Sequence, residues 1–65
     1  MRKKARIPTR DLDLVKAWAE QENCEAYPDG SSIMVEGDEG DVAEIESRWL
    51  KYLRAREALE RIGVL

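Results

Sequence analysis

Histidine and phenylalanine are missing from this 65-residue chain, cysteine occurs once and proline twice. Each shortage removes a class of chemistry. With no histidine and one thiol, a nitrogen and sulfur tetrahedron for zinc cannot be assembled within one chain, and Ser31, Ser32, Ser47 and Cys24 have no imidazole to serve as base. Lone Cys24 also forbids an internal disulfide, the staple of small secreted domains, and so points to a reducing compartment. No apolar run reaches membrane-spanning length. "MRKKARI" resembles the basic start of a signal peptide, but "PTRDLDL" follows where its apolar stretch should stand. The expectation is a cytoplasmic chain with no cofactor, no metal and no membrane partner.

What is present is charge, unevenly placed. Eleven Lys and Arg stand against fourteen Asp and Glu, for a net charge of -3. Residues 1 to 10 carry Arg2, Lys3, Lys4, Arg6 and Arg10 without an acid, residues 20 to 46 carry acids without a base, and residues 48 to 61 are again mostly basic. Sixty-five residues permit one domain with a thin core. We read residues 1–65 as that domain, with a basic N-terminal arm at 1–8.

The fold class expected is α+β: helix, β-hairpin, long helix. Thr9 is placed to cap a first helix over 10–22, with Asp11 and Asp13 in its positive first turn. Leu12, Leu14, Val15, Trp18 and Ala19 share one side of it at helical spacing. In "CEAYPDGSSIMVE" the period changes to that of strands. A short strand at 24–27 leads to a turn with Pro28 and Asp29 at its centre and Gly30 opening a bulge. "SIMVE" forms the second strand, with Ile33 and Val35 on one face and Ser32 and Met34 on the other. "KARIP" offers an additional strand before the first helix, since Ile7 is β-branched and precedes Pro8.

The acidic stretch "MVEGDEGDVAEIESRW" poses the sharpest chemical question. Begun at Asp38 or Glu36, the oxygen ligands of a calcium loop fall on the wrong residue types, so the spacing excludes an EF-hand. Read as structure, "GDEG" is a turn, and Asp41 with Glu44 is a variant capping box opening a second helix from Asp41 to Ile62 that Gly63 ends. Val42, Ile45, Trp49, Tyr52 and Leu53 form the apolar side of its first half, and Ala55, Leu59 and Ile62 continue it. Such a helix is too long for the first helix and a hairpin to cover.

Two surfaces follow. The first is a protein-docking surface of Leu50, Leu53, Leu59 and Ile62 on the second helix, with Glu36, Asp38 and Glu39 as an acidic surface tuning partner choice. Its partner is another protein or a second copy; Ile45, Trp49, Tyr52 and Leu59 fit heptad spacing, interrupted by Arg56. The alternative is a nucleic-acid surface of Arg2, Lys3, Lys4 and Arg6 with the stripe Arg48, Lys51 and Arg54. Trp18, Trp49 and Tyr52 lie on apolar helical sides and read as core, not as base-stacking platforms. Cys24 reads as a small, half-buried apolar residue.

The function expected is that of a non-enzymatic protein-protein interaction module, with a nucleic-acid-binding regulator as the alternative. Small chains without catalytic groups are often phage or mobile-element inhibitors, regulators or virion joints. In the "DG" turn and the helix start "GDVAEIESRWLKYL" the layout is similar in outline to small phage head-to-tail joining proteins, which also set a hairpin between two helices. The basic residues around that family's hairpin are lacking here.

Overall fold

The computed structural model describes residues 1–62; Gly63, Val64 and Leu65, and with them the expected glycine cap, lie outside the described residues. The order is β1 (Arg2–Ile7), α1 (Leu12–Gln21), β2 (Glu25–Asp29), β3 (Ser32–Asp38) and α2 (Glu39–Ile62). The α+β class is as expected, and the N-terminal strand is present in full. The stretch taken as a basic arm is β1, paired antiparallel to β3 from Arg2 opposite Asp38 to Ile7 opposite Ile33. β2 pairs with the other side of β3, giving the sheet order β1-β3-β2. β1 and β2 therefore run parallel with β3 between them, a split β-α-β unit.

Strand alternation assigns the two faces. Ala5, Ile7, Ile33, Val35 and Gly37 are buried on one face, beneath Val15 and Ala19 of α1 and Val42, Ile45 and Trp49 of α2. Leu12, Trp18, Cys24, Ala26, Tyr52 and Leu53 pack around this core. The opposite face carries Arg2, Lys4, Arg6, Tyr27, Asp29, Met34 and Glu36, and no element among the described residues covers it.

α1 begins two residues later than Thr9 would set it. Asp11 is the cap, its Oδ1 accepting the Leu14 N–H at 3.2 Å. Thr9 acts one step earlier: its Oγ1 accepts the Asp11 N–H at 3.2 Å and orders the approach to the cap. The helix ends in a Schellman motif. Cys24 N–H donates to Ala19 O at 2.8 Å and Asn23 N–H to Glu20 O at 3.5 Å, with Asn23 left-handed at φ 55°. Asparagine tolerates that conformation better than most side chains.

The hairpin turn is tighter than expected. Asp29 pairs directly with Ser32, so the loop is Gly30–Ser31, with Gly30 at φ 65° as a two-residue type II′ connection requires. Pro28 and Asp29 belong to β2. Pro28 faces Ile33 at a position where the backbone N–H would point away from β3, so the edge strand loses no ladder bond.

The start of α2 departs most from expectation. "GDEG" is not a turn: β3 runs through Gly37 and Asp38, and α2 begins at Glu39, whose N–H donates to Met1 O at 2.8 Å. Asp41 thus lies in the first turn beside Glu39 instead of capping it. Gly37 is glycine for a packing reason, because a Cβ there would meet Cys24 Sγ at 2.6 Å. Gly40 has open space around it.

Two outcomes follow from these positions. Asp11→Ala lowers stability by about 1 kcal/mol, whereas Asp41→Ala changes it by only a few tenths; chemical denaturation compares them, and equal losses would contradict the cap assignment. Gly37→Ala costs about 1–3 kcal/mol through overpacking, and adding Cys24→Ala restores most of that loss. Melting curves of the single and double variants check the pair, and a double variant no better than Gly37→Ala would exclude the clash as the cause.

Candidate functional site

α2 is the element that outgrows the domain. Its 24 residues span about 36 Å at ~1.5 Å per residue, within a molecule 42 Å along its longest axis. Val42, Ile45 and Trp49 are buried and Tyr52 and Leu53 half-buried, but every residue from Arg54 to Arg61 is exposed. The last two turns of described helix touch no core.

The four apolar residues expected to form one docking surface separate. Leu53 packs against the core. Leu50 is 56% exposed and Leu59 is 49% exposed, but nine positions at about 100° each place them on opposite sides of the helix. Leu50 overhangs β1, where Arg6, Ile7, Glu46 and Trp49 line with it an open pocket of about 120 Å³. Leu59 lies on the α1 side, in line with Ala55. Ile62 closes α2, and its side chain lies outside the described residues.

The α1 side carries an aromatic ledge. Trp49 and Tyr52 stack with centroids 5.5 Å apart, and Trp18 of α1 meets Tyr52 edge-on at 5.9 Å. The Arg56 guanidinium lies 5.8 Å over the Tyr52 ring, so it extends the ledge instead of merely interrupting a heptad seam. The aromatics are structural, with Trp49 buried in the core.

The acidic and basic sets expected on separate surfaces meet one another. On the open sheet face Glu36 lies 3.5 Å from Arg2 and 3.9 Å from Lys4 and accepts the Tyr27 hydroxyl at 3.3 Å. Arg6 pairs with Asp29 at 3.0 Å, and Lys3 reaches Glu46 of α2 at 3.3 Å. Arg48 donates to Gln21 Oε1 at 3.0 Å and sits 3.6 Å from Glu22, tying α2 to the end of α1. Of the seven cations read as a nucleic-acid surface, Lys51 and Arg54 have no ion-pair partner among the described residues. Asp38 and Glu39 are exposed at the sheet end, where Asp38 Oδ1 accepts from the Met1 ammonium at 3.4 Å.

No metal-binding group of three or more acidic or cysteine side chains forms among the described residues. The pocket beside Leu50 is well below the roughly 300 Å³ typical of small-molecule sites. Cys24 is half-buried, its Sγ 3.6 Å from Glu22 O. Burial first, then the carboxylates of Asp41 and Glu22, push its thiol above the ordinary range, with Arg2 opposing weakly. No helix among the described residues is long and apolar enough to cross a membrane.

Sequence reading missed the free edge of β1 and the pocket beside it. The alternation of Arg2, Lys4 and Arg6 with Lys3, Ala5 and Ile7 was the available signal. It is short, and its meaning depends on a partner strand far along the chain. No protein-family model, curated protein or solved structure matches this chain.

The raised thiol pKa has a direct readout. A smaller thiolate fraction at neutral pH slows nucleophilic attack, so iodoacetamide modifies Cys24 more slowly than free cysteine in the native chain and at the free rate in denaturant. Mass spectrometry over time follows both; native alkylation as fast as free cysteine would contradict the assignment.

Proposed function

We propose that this chain is a non-enzymatic cytoplasmic protein-protein interaction module that docks through the projecting half of α2, with Asp38 and Glu39 tuning partner choice by charge. The observation that carries the reading is the unbroken exposure from Arg54 to Arg61 on a helix that continues beyond its own core. Tertiary packing, more than propensity, supports most protein helices. A helical extension without packing has only its continuity with the buried half to hold it. Contact with a partner supplies the missing support: burying a leucine-sized side chain contributes roughly 1.5–3 kcal/mol, and Leu59 stands ready with Ala55 beside it. A second copy or another protein fills this role, in the manner of the small inhibitors, regulators and virion joints of phages and mobile elements.

One observation favours a second reading. Lys51 and Arg54 lie on the outer side of α2 without carboxylate partners among the described residues, which suits contact with phosphate. Arg2, Lys4 and Arg6 do not extend that surface, because they stand on the open face of the sheet, across the sheet from α2.

Under the first reading, Ala55→Glu with Leu59→Glu abolishes self-association or partner capture without lowering the melting temperature, and Lys51→Glu with Arg54→Glu does not. Sedimentation velocity and cross-linked capture from host lysate compare the two variants. Loss of binding only in the charge-reversed variant, with nucleic acid in the captured material, would hand the function to the second reading.

A further inference from the structure

The free edge of β1 is independent of the α2 surface and carries its own geometry. Because Met1 O accepts from Glu39, the odd-numbered residues of β1 turn their backbone groups toward β3. The N–H and C=O groups of Arg2, Lys4 and Arg6 therefore point outward along an edge that no element among the described residues covers. Their side chains stand on the open sheet face at 65%, 63% and 57% exposure. On the other face, directly beside this edge, the overhang of α2 forms the pocket with exposed Leu50 at its rim.

We propose that β1 accepts an added strand from another protein, an extended segment in which acidic and aliphatic residues alternate. The backbone groups of Arg2, Lys4 and Arg6 supply the ladder. Alternation then sends every second side chain of the incoming strand to the open face beside three cations, and the others beneath α2. There the pocket of about 120 Å³ takes one aliphatic side chain; a cavity of roughly 150 Å³ holds benzene. The same charges exclude a second copy as occupant. Antiparallel pairing of β1 with itself would set Arg and Lys opposite Arg and Lys, the arrangement by which edge strands avoid self-pairing. An acidic strand turns that repulsion into attraction. The ion pairs to Glu36 and Asp29 do not prevent it, because exposed pairs of this kind contribute little and exchange readily.

The probe is a synthetic peptide alternating glutamate with valine around a central leucine, titrated into the full chain, with a lysine-for-glutamate peptide as control. Saturable binding of the glutamate peptide is expected, weakening with added salt, together with slowed hydrogen exchange at the amides of Arg2, Lys4 and Arg6. Leu50→Glu and Lys4→Glu, both at exposed positions, each weaken binding by about tenfold or more, while Leu59→Glu leaves it unchanged. Failure of the glutamate peptide to bind, equal binding of the lysine peptide, or binding without protection of those three amides would each overturn the proposal.

Discussion

The antiparallel ladder between β1 and β3 is the interaction on which the rest of the molecule depends. A two-stranded hairpin alone is marginal in water. β1 adds Ala5 and Ile7 to the buried face and widens it enough for α2 to lie across β1 and β3 while α1 lies across β2 and β3. It also makes β3 the central strand, so that Ile33, Val35 and Gly37 are enclosed from both sides. The same pairing reaches Glu39 through Met1 and leads the chain from strand directly into helix.

Local pattern was enough to read both helices, the hairpin and much of the core, because Val15, Ala19, Ile33, Val35, Val42, Ile45 and Trp49 repeat at the spacings their elements require. The errors arose where one residue type serves several physical roles. Glycine marks turns, yet Gly37 is a strand residue that leaves room for Cys24, and Gly40 sits in the first turn of α2. Proline marks turns, yet Pro28 occupies an edge strand where its missing N–H costs nothing. Aspartate caps helices, and of Asp11 and Asp41 only the first does so here. The exposure of Leu59 was legible from helix length. The separation of Leu50 and Leu59 to opposite sides follows from helical geometry that a list of apolar residues does not convey.

The basic, acidic, basic succession along the chain becomes, once folded, a set of matches across strands and between helices. Arg2 and Lys4 share Glu36, Arg6 takes Asp29, Lys3 takes Glu46, and Arg48 takes Glu22. Each exposed pair contributes at most about 1 kcal/mol. Their joint effect bears on register: sliding β1 by one residue along β3 would send Ala5 and Ile7 to the uncovered face and Arg6 into the core. Blocks of like charge in a short sequence thus bear on which distant strands meet, before any ligand is considered.

The strand order also bears on how the chain finds its fold. Each helix and the tight Gly30–Ser31 hairpin close over short stretches and can form early. β1 precedes its partners Ile33 to Asp38 by a long stretch of chain, and joining them closes a far longer loop than the hairpin does, at a larger entropic cost. Docking of β1 onto the hairpin is therefore the most non-local step in assembling the sheet. Until then β3 lacks its neighbour, and a nascent chain carries an unpaired apolar strand edge that only the finished sheet removes.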